Sequence, residues 1–248
     1  MAPVMTQLFI SDLHLDEEQA EITACFLQFL KTGAVNADAV YILGDLFEVW
    51  LGDDHTTEFN TKIIDALGEL SRKDIPLYIM HGNRDFLIGT EFCRSCGAEL
   101  LPDPTTIDCY GRKVLLMHGD SLCTEDAEYM QARTMLRSPD FQQQFLAKSL
   151  EERALFARNA RQQSVQHTAE LTNDIMDVTA NEVTEAMQQH GVDMLIHGHT
   201  HRPAVHHLQV QEQPAVRVVL GNWHTDGWLL RFDPSGYRLE SFPIKGKA

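Results

Sequence analysis

Apolar residues in this chain form two kinds of pattern, which alternate along its length. Short continuous runs, typical of strands buried on both faces, are separated by longer segments whose apolar residues recur at helical spacing. The two clearest helical segments are residues 17–31 and residues 57–72, the second with Ile63 and Leu67 on one face. This alternation predicts a layered α/β fold with mostly parallel strands. The continuous runs lie at residues 7–11, 39–43, 77–80, 114–117 and 194–197.

The C-terminal part of the chain has a different pattern, in which short strands follow one another with short turns between them. These strands are predicted at residues 205–210, 216–220, 228–232 and 237–242. A long, largely helical segment precedes them. We therefore predict one α/β domain over residues 1–248, with two facing β-sheets, helices outside them, and a helical insertion at residues 122–190.

The balance of charges excludes one class of protein. The chain carries 20 basic and 36 acidic residues, so its formal charge is −16 with neutral histidines. A general nucleic-acid binder presents a broad basic face, which this composition does not favour. An anionic substrate remains open, because bound divalent cations reverse the local charge. No apolar run approaches the roughly 20 residues that span a bilayer, and no leader pattern precedes the first strand, so we expect a cytoplasmic protein.

Polar side chains that can bind metal ions stand directly after five of the apolar runs. Ligands gather outside the carboxyl ends of the strands in open α/β sheets, so these five segments can converge on one point. Each motif alone is weak evidence, but all five in this order predict a metal site. The segments are Asp12-Leu-His14, Gly44-Asp45, Gly82-Asn-Arg-Asp85, His118-Gly-Asp120 and Gly198-His-Thr-His201.

This ordered set of motifs resembles the calcineurin-like metallophosphoesterase superfamily. The resemblance implies an α/β sandwich of two mixed β-sheets flanked by helices, with the helical insertion as a lid. It further implies that His197 is a strand residue and that Asp85 and Asp120 orient the ligand loops. Asp45 would bridge two metal ions, one bound by Asp12, His14 and His201 and the other by Asn83, His118 and His199.

The chemistry of these side chains agrees with that implication. Carboxylate, amide and imidazole ligands without thiolates suit manganese, iron or cobalt better than a structural zinc ion. Two divalent cations held close together clamp the attacking and leaving oxygens of an in-line displacement and activate a water molecule. The residues therefore predict hydrolysis of a phosphoester or phosphoanhydride without a serine or cysteine nucleophile.

Longer stretches resemble the bacterial UDP-2,3-diacylglucosamine hydrolase family and cover nearly the whole chain. That family cuts the pyrophosphate of UDP-2,3-diacylglucosamine to UMP and 2,3-diacylglucosamine 1-phosphate (lipid X) in lipid A synthesis. The resemblance implies this activity, two manganese ions, and peripheral contact with the cytosolic face of the inner membrane; we expect a monomer. The stretches lie at residues 12–15, 41–48, 81–87, 117–126 and 197–204.

The same resemblance implies roles for individual residues. At two contact positions where the family has Asn and Lys, this chain has Thr168 and Leu171. Thr can still form a hydrogen bond, whereas Leu cannot pair with a phosphate. The implied catalytic residues are Asp45, Arg84 and His199, and the other implied substrate contacts are Asn83, Asp126 and Ser164, with Arg84 and His199 serving in both roles.

Two features of the residues themselves favour a lipid-linked pyrophosphate. Arg84 stands where many superfamily members have a His that can protonate a departing alkoxide. A departing phosphate is already a stable anion and needs protonation less. A guanidinium that binds its oxygens is more useful. Between Arg133 and Arg161 there are six basic and three acidic residues, so a helical lid there could hold acyl chains and face anionic head groups. For Arg84, the alternative is a surface arginine that pairs with Asp85. For the insertion, the alternative is ordinary helices that pack on the sheets and have a solvated charged face.

Other functions stay open. A cytosolic phosphatase, or a hydrolase of soluble nucleotides such as dinucleoside polyphosphates, would share the metals and differ in substrate. A non-enzymatic scaffold would have lost metal ligands, and here every ligand position is filled. Histidines outside the motifs lack a partner at ligand spacing, and we interpret them as surface or loop residues: His55, His167, His190, His206 and His207.

Overall fold

The structure, a computed structural model, describes residues 5–170, 175 and 177–245. Within this part of the chain there are eleven strands, seven α-helices and one short 3-10 helix, Asp120–Leu122. The strands are β1 (Gln7–Ile10), β2 (Ala39–Leu43), β3 (Leu77–Met80), β4 (Ala98–Leu101), β5 (Thr105–Cys109), β6 (Arg112–Leu116), β7 (Met194–His197), β8 (Ala204–Val210), β9 (Gln213–Val219), β10 (Asp226–Asp233) and β11 (Gly236–Pro243). The helices are α1 (Ala20–Thr32), α2 (Glu58–Ser71), α3 (Thr90–Cys96), α4 (Ala127–Leu136), α5 (Pro139–Leu146), α6 (Leu150–Glu170) and α7 (Ala180–His190).

The strands form two mixed sheets. The first has the order β11-β10-β1-β2-β3-β4, in which β1 to β4 are parallel and β10 runs antiparallel to β1. The second has the order β5-β6-β7-β9-β8, in which β6, β7 and β9 are parallel and each edge strand is antiparallel to its neighbour. The predicted sandwich of two mixed sheets with parallel central strands is confirmed.

Successive residues of the central strands face different apolar layers. Leu8 and Ile10 belong to the core under α1 and α2, whereas Phe9 and Tyr41 belong to the core between the two sheets. The rings of Phe9, Tyr41 and Tyr78 stack there with neighbouring centroids 4.7 Å apart. Because side chains alternate across a strand and both faces are buried, these strands read as continuous apolar runs.

The helices after β6 have two different surroundings. Helix α7 covers the second sheet, where Val183 and Met187 lie in one apolar cluster with residues of β6 and β7. Helices α4 and α6 instead reach the loops that follow β3 and β2. Nη2 of Arg137 donates to the carbonyl oxygen of Gly82 at 3.0 Å, and Nη1 of Arg153 donates to that of Leu51 at 2.6 Å. These contacts place α4 and α6 beside the carboxyl ends of the first sheet.

The four strands predicted in the C-terminal part are confirmed, and they divide between the sheets. The hairpin of β8 and β9 joins the edge of the second sheet, and the hairpin of β10 and β11 joins the edge of the first. Strands β4 and β5 and helix α3 are not predicted by the pattern of apolar residues. Among the described helices, none combines the length and the apolarity needed to cross a bilayer.

Candidate active site

Five loops meet at one edge of the sandwich, where the central parallel strands of both sheets end. They follow β1, β2, β3, β6 and β7, as the sequence motifs predict, because the carboxyl ends of parallel strands share an edge. The loops bring together all seven predicted metal ligands: Asp12, His14, Asp45, Asn83, His118, His199 and His201.

One group of donor atoms comes from Asp12, His14 and His201. Nε2 of His14 lies 3.1 Å from Nε2 of His201, which in turn lies 3.5 Å from Oδ1 of Asp12. One ligand atom from each of the three residues lies within 4.8 Å of the others. A carboxylate and two imidazoles converging in this way can hold one divalent cation.

A second group surrounds the side-chain oxygen of Asn83. Nε2 of His118 and Nδ1 of His199 each lie 2.9 Å from this oxygen. Asp45 stands between the two groups, with Oδ2 3.8 Å from Nε2 of His14 and Oδ1 3.8 Å from Nε2 of His118. A central carboxylate with one oxygen toward each group is the arrangement that a bridging ligand requires.

The backbone of these loops is strained. Nine non-glycine residues in the described ranges have a positive φ, and five of them are predicted metal ligands, with φ between 49° and 67°. Left-handed backbone costs a residue with a Cβ on the order of 1–3 kcal/mol, and such residues cluster where function needs the geometry. The five ligands are Asp12, His14, Asp45, His199 and His201.

A glycine allows the loops after β2 and β3 to touch. A Cβ at Gly82 would overlap the side chain and the backbone nitrogen of Asp45. The carboxylate of Asp85 then ties the two loops together, accepting from the backbone N–H of Leu46 at 2.7 Å and of Gly82 at 2.8 Å. Backbone N–H groups occupy the carboxylate of Asp85. Arg84 is not among the partners of Asp85 in the described part of the chain, so the alternative of an Arg84–Asp85 pair is not supported.

The buried groups perturb one another's protonation. Burial opposes ionisation of Asp12, but its hydrogen bond to His201 and the charges of the nearby histidines hold its pKa well below the usual range. Burial raises the pKa of Asp45. Burial also opposes the cationic form of His118, but the charges of Asp45 and other carboxylates raise its pKa to about 9. Burial and then the charge of His118 lower the pKa of His199 to about 3. Cations bound among these groups would displace protons.

A cavity of about 630 Å³ lies beside the ligand loops, between the first sheet and helices α4 and α6. Its polar lining includes Asn83, Arg84 and Arg161. This volume falls in the range of small-molecule sites, which are mostly apolar with a few placed polar groups. The apolar lining comes from the core and the insertion together: Trp50, Phe86, Leu87, Leu136, Phe145 and Phe156.

Comparisons with known proteins show the family of the chain. Residues 5–203 match the family model of the calcineurin-like phosphoesterases. The chain belongs to this family. UDP-2,3-diacylglucosamine hydrolase from Pseudomonas paraeruginosa is 52% identical to it over 240 residues, which cover 97% of this chain and 100% of the relative. The hydrolase of the same name from Stenotrophomonas maltophilia is 48% identical over 244 residues, covering 96% and 98%. The chain is thus also a member of the UDP-2,3-diacylglucosamine hydrolase family.

A solved structure shows the fold alone. Vacuolar protein sorting 29 from Cryptosporidium parvum superposes with a TM-score of 0.52 at 14% sequence identity, covering 99% of this chain and 94% of the other. At this identity the likeness supports the sandwich of the calcineurin-like phosphoesterases and says nothing about substrate.

Three of the predicted substrate contacts of this phosphoesterase line the cavity: Asn83, Arg84 and Ser164. The backbone N–H of Arg84 donates to Oδ1 of Asp45 at 2.8 Å. Its side-chain Nε is buried, and no hydrogen-bond partner for it is found in the described part of the protein. Buried donors are normally satisfied, so this Nε is available to an anionic ligand.

Another predicted contact, Asp126, lies at the start of α4, next to α6. Asp126 caps α4 by accepting from the backbone N–H of Tyr129 at 2.9 Å, and its Oδ1 lies 2.9 Å from Nε2 of His167. His167, interpreted from the sequence as a surface or loop residue, is a half-buried residue of helix α6 that also lines the cavity. Thr168 belongs to α6 but its side chain is not described, and Leu171 lies outside the described residues.

Two connections between the insertion helices and the ligand loops are absent from the sequence analysis. Nε of Arg133, on α4, donates to Oδ2 of the buried Asp120 at 2.8 Å. Nε of Arg161, on α6, lies 2.9 Å from Oε1 of Glu48, whose Oε2 lies 3.0 Å from Nδ1 of His14. Glu48 falls in the stretch 41–48 that carries the family resemblance, but no local pattern indicates which arginine reaches it.

Proposed function

We propose that this phosphoesterase hydrolyses the pyrophosphate bond of UDP-2,3-diacylglucosamine and releases UMP and 2,3-diacylglucosamine 1-phosphate. The observation that carries the proposal is a mostly apolar cavity that opens beside a cluster of seven metal-binding side chains. The cluster suits a phosphoanhydride, and the cavity suits the acyl part of a lipid-linked substrate. The similarity to UDP-2,3-diacylglucosamine hydrolases over nearly the whole chain supports the same substrate.

Two divalent cations, with manganese as our assignment, fit the ligand cluster. The donor atoms are carboxylate and amide oxygens and imidazole nitrogens, a set that suits manganese, iron or cobalt. When bound, such a pair lowers the pKa of water and stabilises negative charge on phosphoryl oxygens. Asp45 would bridge the two ions, with Asp12, His14 and His201 holding one and Asn83, His118 and His199 holding the other.

The guanidinium of Arg84 binds the phosphate oxygens in this proposal. It lines the cavity next to Asn83, and its Nε is free to donate. Hydrogen bonds from a cation to phosphate strengthen as negative charge develops on the departing phosphate, so this contact favours the transition state. Further head-group contacts come from Asn83, Asp126, Ser164 and His199, and Thr168 and Leu171 stand at two more contact positions.

The insertion holds the acyl chains and faces the membrane in this proposal. Its inner side supplies the apolar lining of the cavity. Its outer side exposes large apolar residues next to exposed Lys148 and Arg158. A surface that combines apolar and basic side chains binds anionic bilayers, here the cytosolic face of the inner membrane. The exposed apolar residues outside the cavity lining are Leu146, Leu150, Leu155 and Val165.

The test uses purified, metal-stripped protein and UDP-2,3-diacylglucosamine in mixed micelles, with and without added Mn²⁺. We expect metal-dependent release of both UMP and the lipid monophosphate, with poor activity on de-acylated UDP-glucosamine and on phosphate monoesters. Failure to cleave the lipid, together with rapid hydrolysis of a soluble nucleotide or monoester, would refute the proposed substrate and favour the alternative phosphatase or nucleotide hydrolase with the same metals.

Acyl-chain length tests the role of the insertion separately. Each methylene removed from a chain that lies in the cavity forfeits about 0.8 kcal/mol of burial, so shortening both chains should lower kcat/KM steeply. Vesicle sedimentation with anionic lipid measures membrane contact in the same preparation. Equal kcat/KM for long and short chains would contradict the proposed lipid cavity.

A further inference from the structure

The carboxylate of Glu48 lies between the ligand loops and the insertion. Its Oε2 is 3.0 Å from Nδ1 of His14, and its Oε1 is 2.9 Å from Nε of Arg161 on α6. The side chain of Glu48 is 17% exposed and that of His14 is 14% exposed, so solvent screens this chain of contacts only in part. Glu48 lines the cavity together with Arg84, but it is neither among the metal ligands nor among the substrate contacts described above.

We propose that Glu48 is a positioning residue that fixes the ring of His14 for metal binding. Through Arg161, Glu48 also makes metal affinity depend on the packing of helix α6 against the ligand loops. The inference rests on the proposed metal centre.

The tautomer of His14 supplies the first reason. An imidazole binds a metal ion through Nε2 only when the proton sits on Nδ1. Nδ1 of His14 is buried and forms no well-aligned hydrogen bond in the described part of the chain. The charge of the carboxylate 3.0 Å away therefore favours that tautomer, as carboxylates commonly do behind histidines that bind metals. Nε2 of His14 does face the other donors, at 3.1 Å from Nε2 of His201 and 3.8 Å from Oδ2 of Asp45.

The position of Arg161 supplies the second reason. A glutamate side chain has several rotamers, and a guanidinium on Oε1 leaves Oε2 for His14. Arg161 reaches Glu48 because α6 is anchored near its start, where the 3% exposed Arg153 donates to the carbonyl oxygen of Leu51. Coupling of this kind is reciprocal. Packing of α6 against the ligand loops strengthens metal binding, and a bound metal ion in turn stabilises α6 in its packed position.

The backbone near Glu48 is held without its side chain. The N–H of His14 donates to the oxygen of Asp45 at 3.0 Å, and the N–H of Leu15 donates to that of Leu46 at 2.9 Å. The N–H of Glu48 itself donates to the oxygen of Leu15 at 3.1 Å. A substitution at Glu48 therefore leaves the two loops joined, so that its effect on the metal can be measured in folded protein.

The test is calorimetric titration of Mn²⁺ into metal-stripped wild type, E48Q, R161Q and the E48Q/R161Q double variant. We expect E48Q to weaken one of two Mn²⁺ equivalents by about 10–100-fold and to leave the other unchanged. R161Q should weaken the same equivalent by less, and the double variant should match E48Q, because Arg161 acts through Glu48.

Two control variants change similar side chains away from this chain of contacts. E91Q breaks the surface ion pair between Glu91 and Arg94 on α3, and R158Q removes an exposed arginine from α6. Both should bind Mn²⁺ as wild type does. Hydrogen exchange measures the reverse direction of the coupling. Mn²⁺ should slow amide exchange in residues 155–165 of wild type and have no such effect in E48Q.

The outcomes separate the failures. Wild-type affinity for both equivalents in E48Q would overturn the role of Glu48, and additive losses in the double variant would overturn the path from Arg161 through Glu48. A wild-type protein that binds no Mn²⁺ would refute the metal centre itself and this inference with it. If E48Q does not fold, R161Q decides, because its side chain is 44% exposed and its replacement leaves the core intact.

Discussion

Replacing Arg84 by alanine isolates the contribution of one guanidinium to phosphate binding. The substitution keeps the backbone N–H of residue 84, which donates to Oδ1 of Asp45 at 2.8 Å. It removes a side chain whose Nε has no hydrogen-bond partner in the described part of the chain. The variant should therefore change the cavity without disturbing the loops that carry the metal ligands.

The expected magnitude follows from those contacts. A donor that acts on developing charge in the transition state contributes about 2.7–4 kcal/mol, or 10²–10³ in kcat. The folded protein loses no hydrogen bond from Nε, so the free energy of unfolding should change by less than about 1 kcal/mol. R84K should fall between wild type and R84A, because lysine keeps the charge but loses the planar fork that binds two oxygens.

Steady-state kinetics on UDP-2,3-diacylglucosamine with Mn²⁺, metal content and thermal unfolding together decide this prediction. R94A, which removes an exposed arginine of α3, provides the matched control and should retain wild-type kcat. Near wild-type kcat in R84A with two bound metal ions would refute the role of Arg84. Loss of the metal ions in R84A would show instead that the residue supports the loops.

Three further substitutions test the site and the fold. G82A should displace Asp45 and weaken Mn²⁺ binding at least tenfold in a calorimetric titration, whereas G111A, whose Cβ meets nothing within 4 Å, should not. Gly68 lies inside α2, where the nearest neighbour of a new Cβ is the end of a flexible side chain at 3.2 Å. G68A should therefore raise the free energy of unfolding by about 0.5–1 kcal/mol, and a decrease would contradict this packing. Burial lowers the pKa of His197 to about 4, so the unfolded chain takes up its proton first as pH falls below about 6.5. In denaturant unfolding of metal-free protein, the stability of wild type relative to H197Q should therefore fall by about 2 kcal/mol between pH 7.5 and pH 5; a pH-independent difference would show that His197 is not buried in its neutral form.

The elements that could be predicted from the sequence are those whose burial leaves a periodic pattern. Strands β2, β3 and β7 have the predicted limits, because both faces of each are covered and every residue but one is buried. Strands β4 and β5 were missed because they lie at sheet edges and mix exposed with buried positions. Neither has an apolar run long enough to indicate a strand.

The residues of the site also divide into those that could be predicted from the sequence and those that could not. The predicted metal ligands follow strands whose carboxyl ends must meet, so topology alone brings them together. The contact between His167 and Asp126 and the pair of Arg161 with Glu48 depend on the angle at which α6 crosses the loops. No spacing in the sequence encodes that angle, because α6 has little difference in hydrophobicity between its faces. The residues that connect the insertion to the site therefore became visible only in the folded chain.

These connections bear on how the insertion can admit a substrate. Arg133 ties α4 to the fully buried Asp120, and Arg153, 3% exposed, ties the start of α6 to the carbonyl oxygen of Leu51. Hydrogen bonds from charged groups contribute about 1.5–3 kcal/mol each, while the half-exposed pair of Arg161 adds little. Swinging α4 and α6 outward as one body thus costs several kcal/mol and would also release Glu48. We therefore expect a lipid-linked substrate to enter along the apolar lining toward Arg84, with both helices in place as a fixed wall of the cavity.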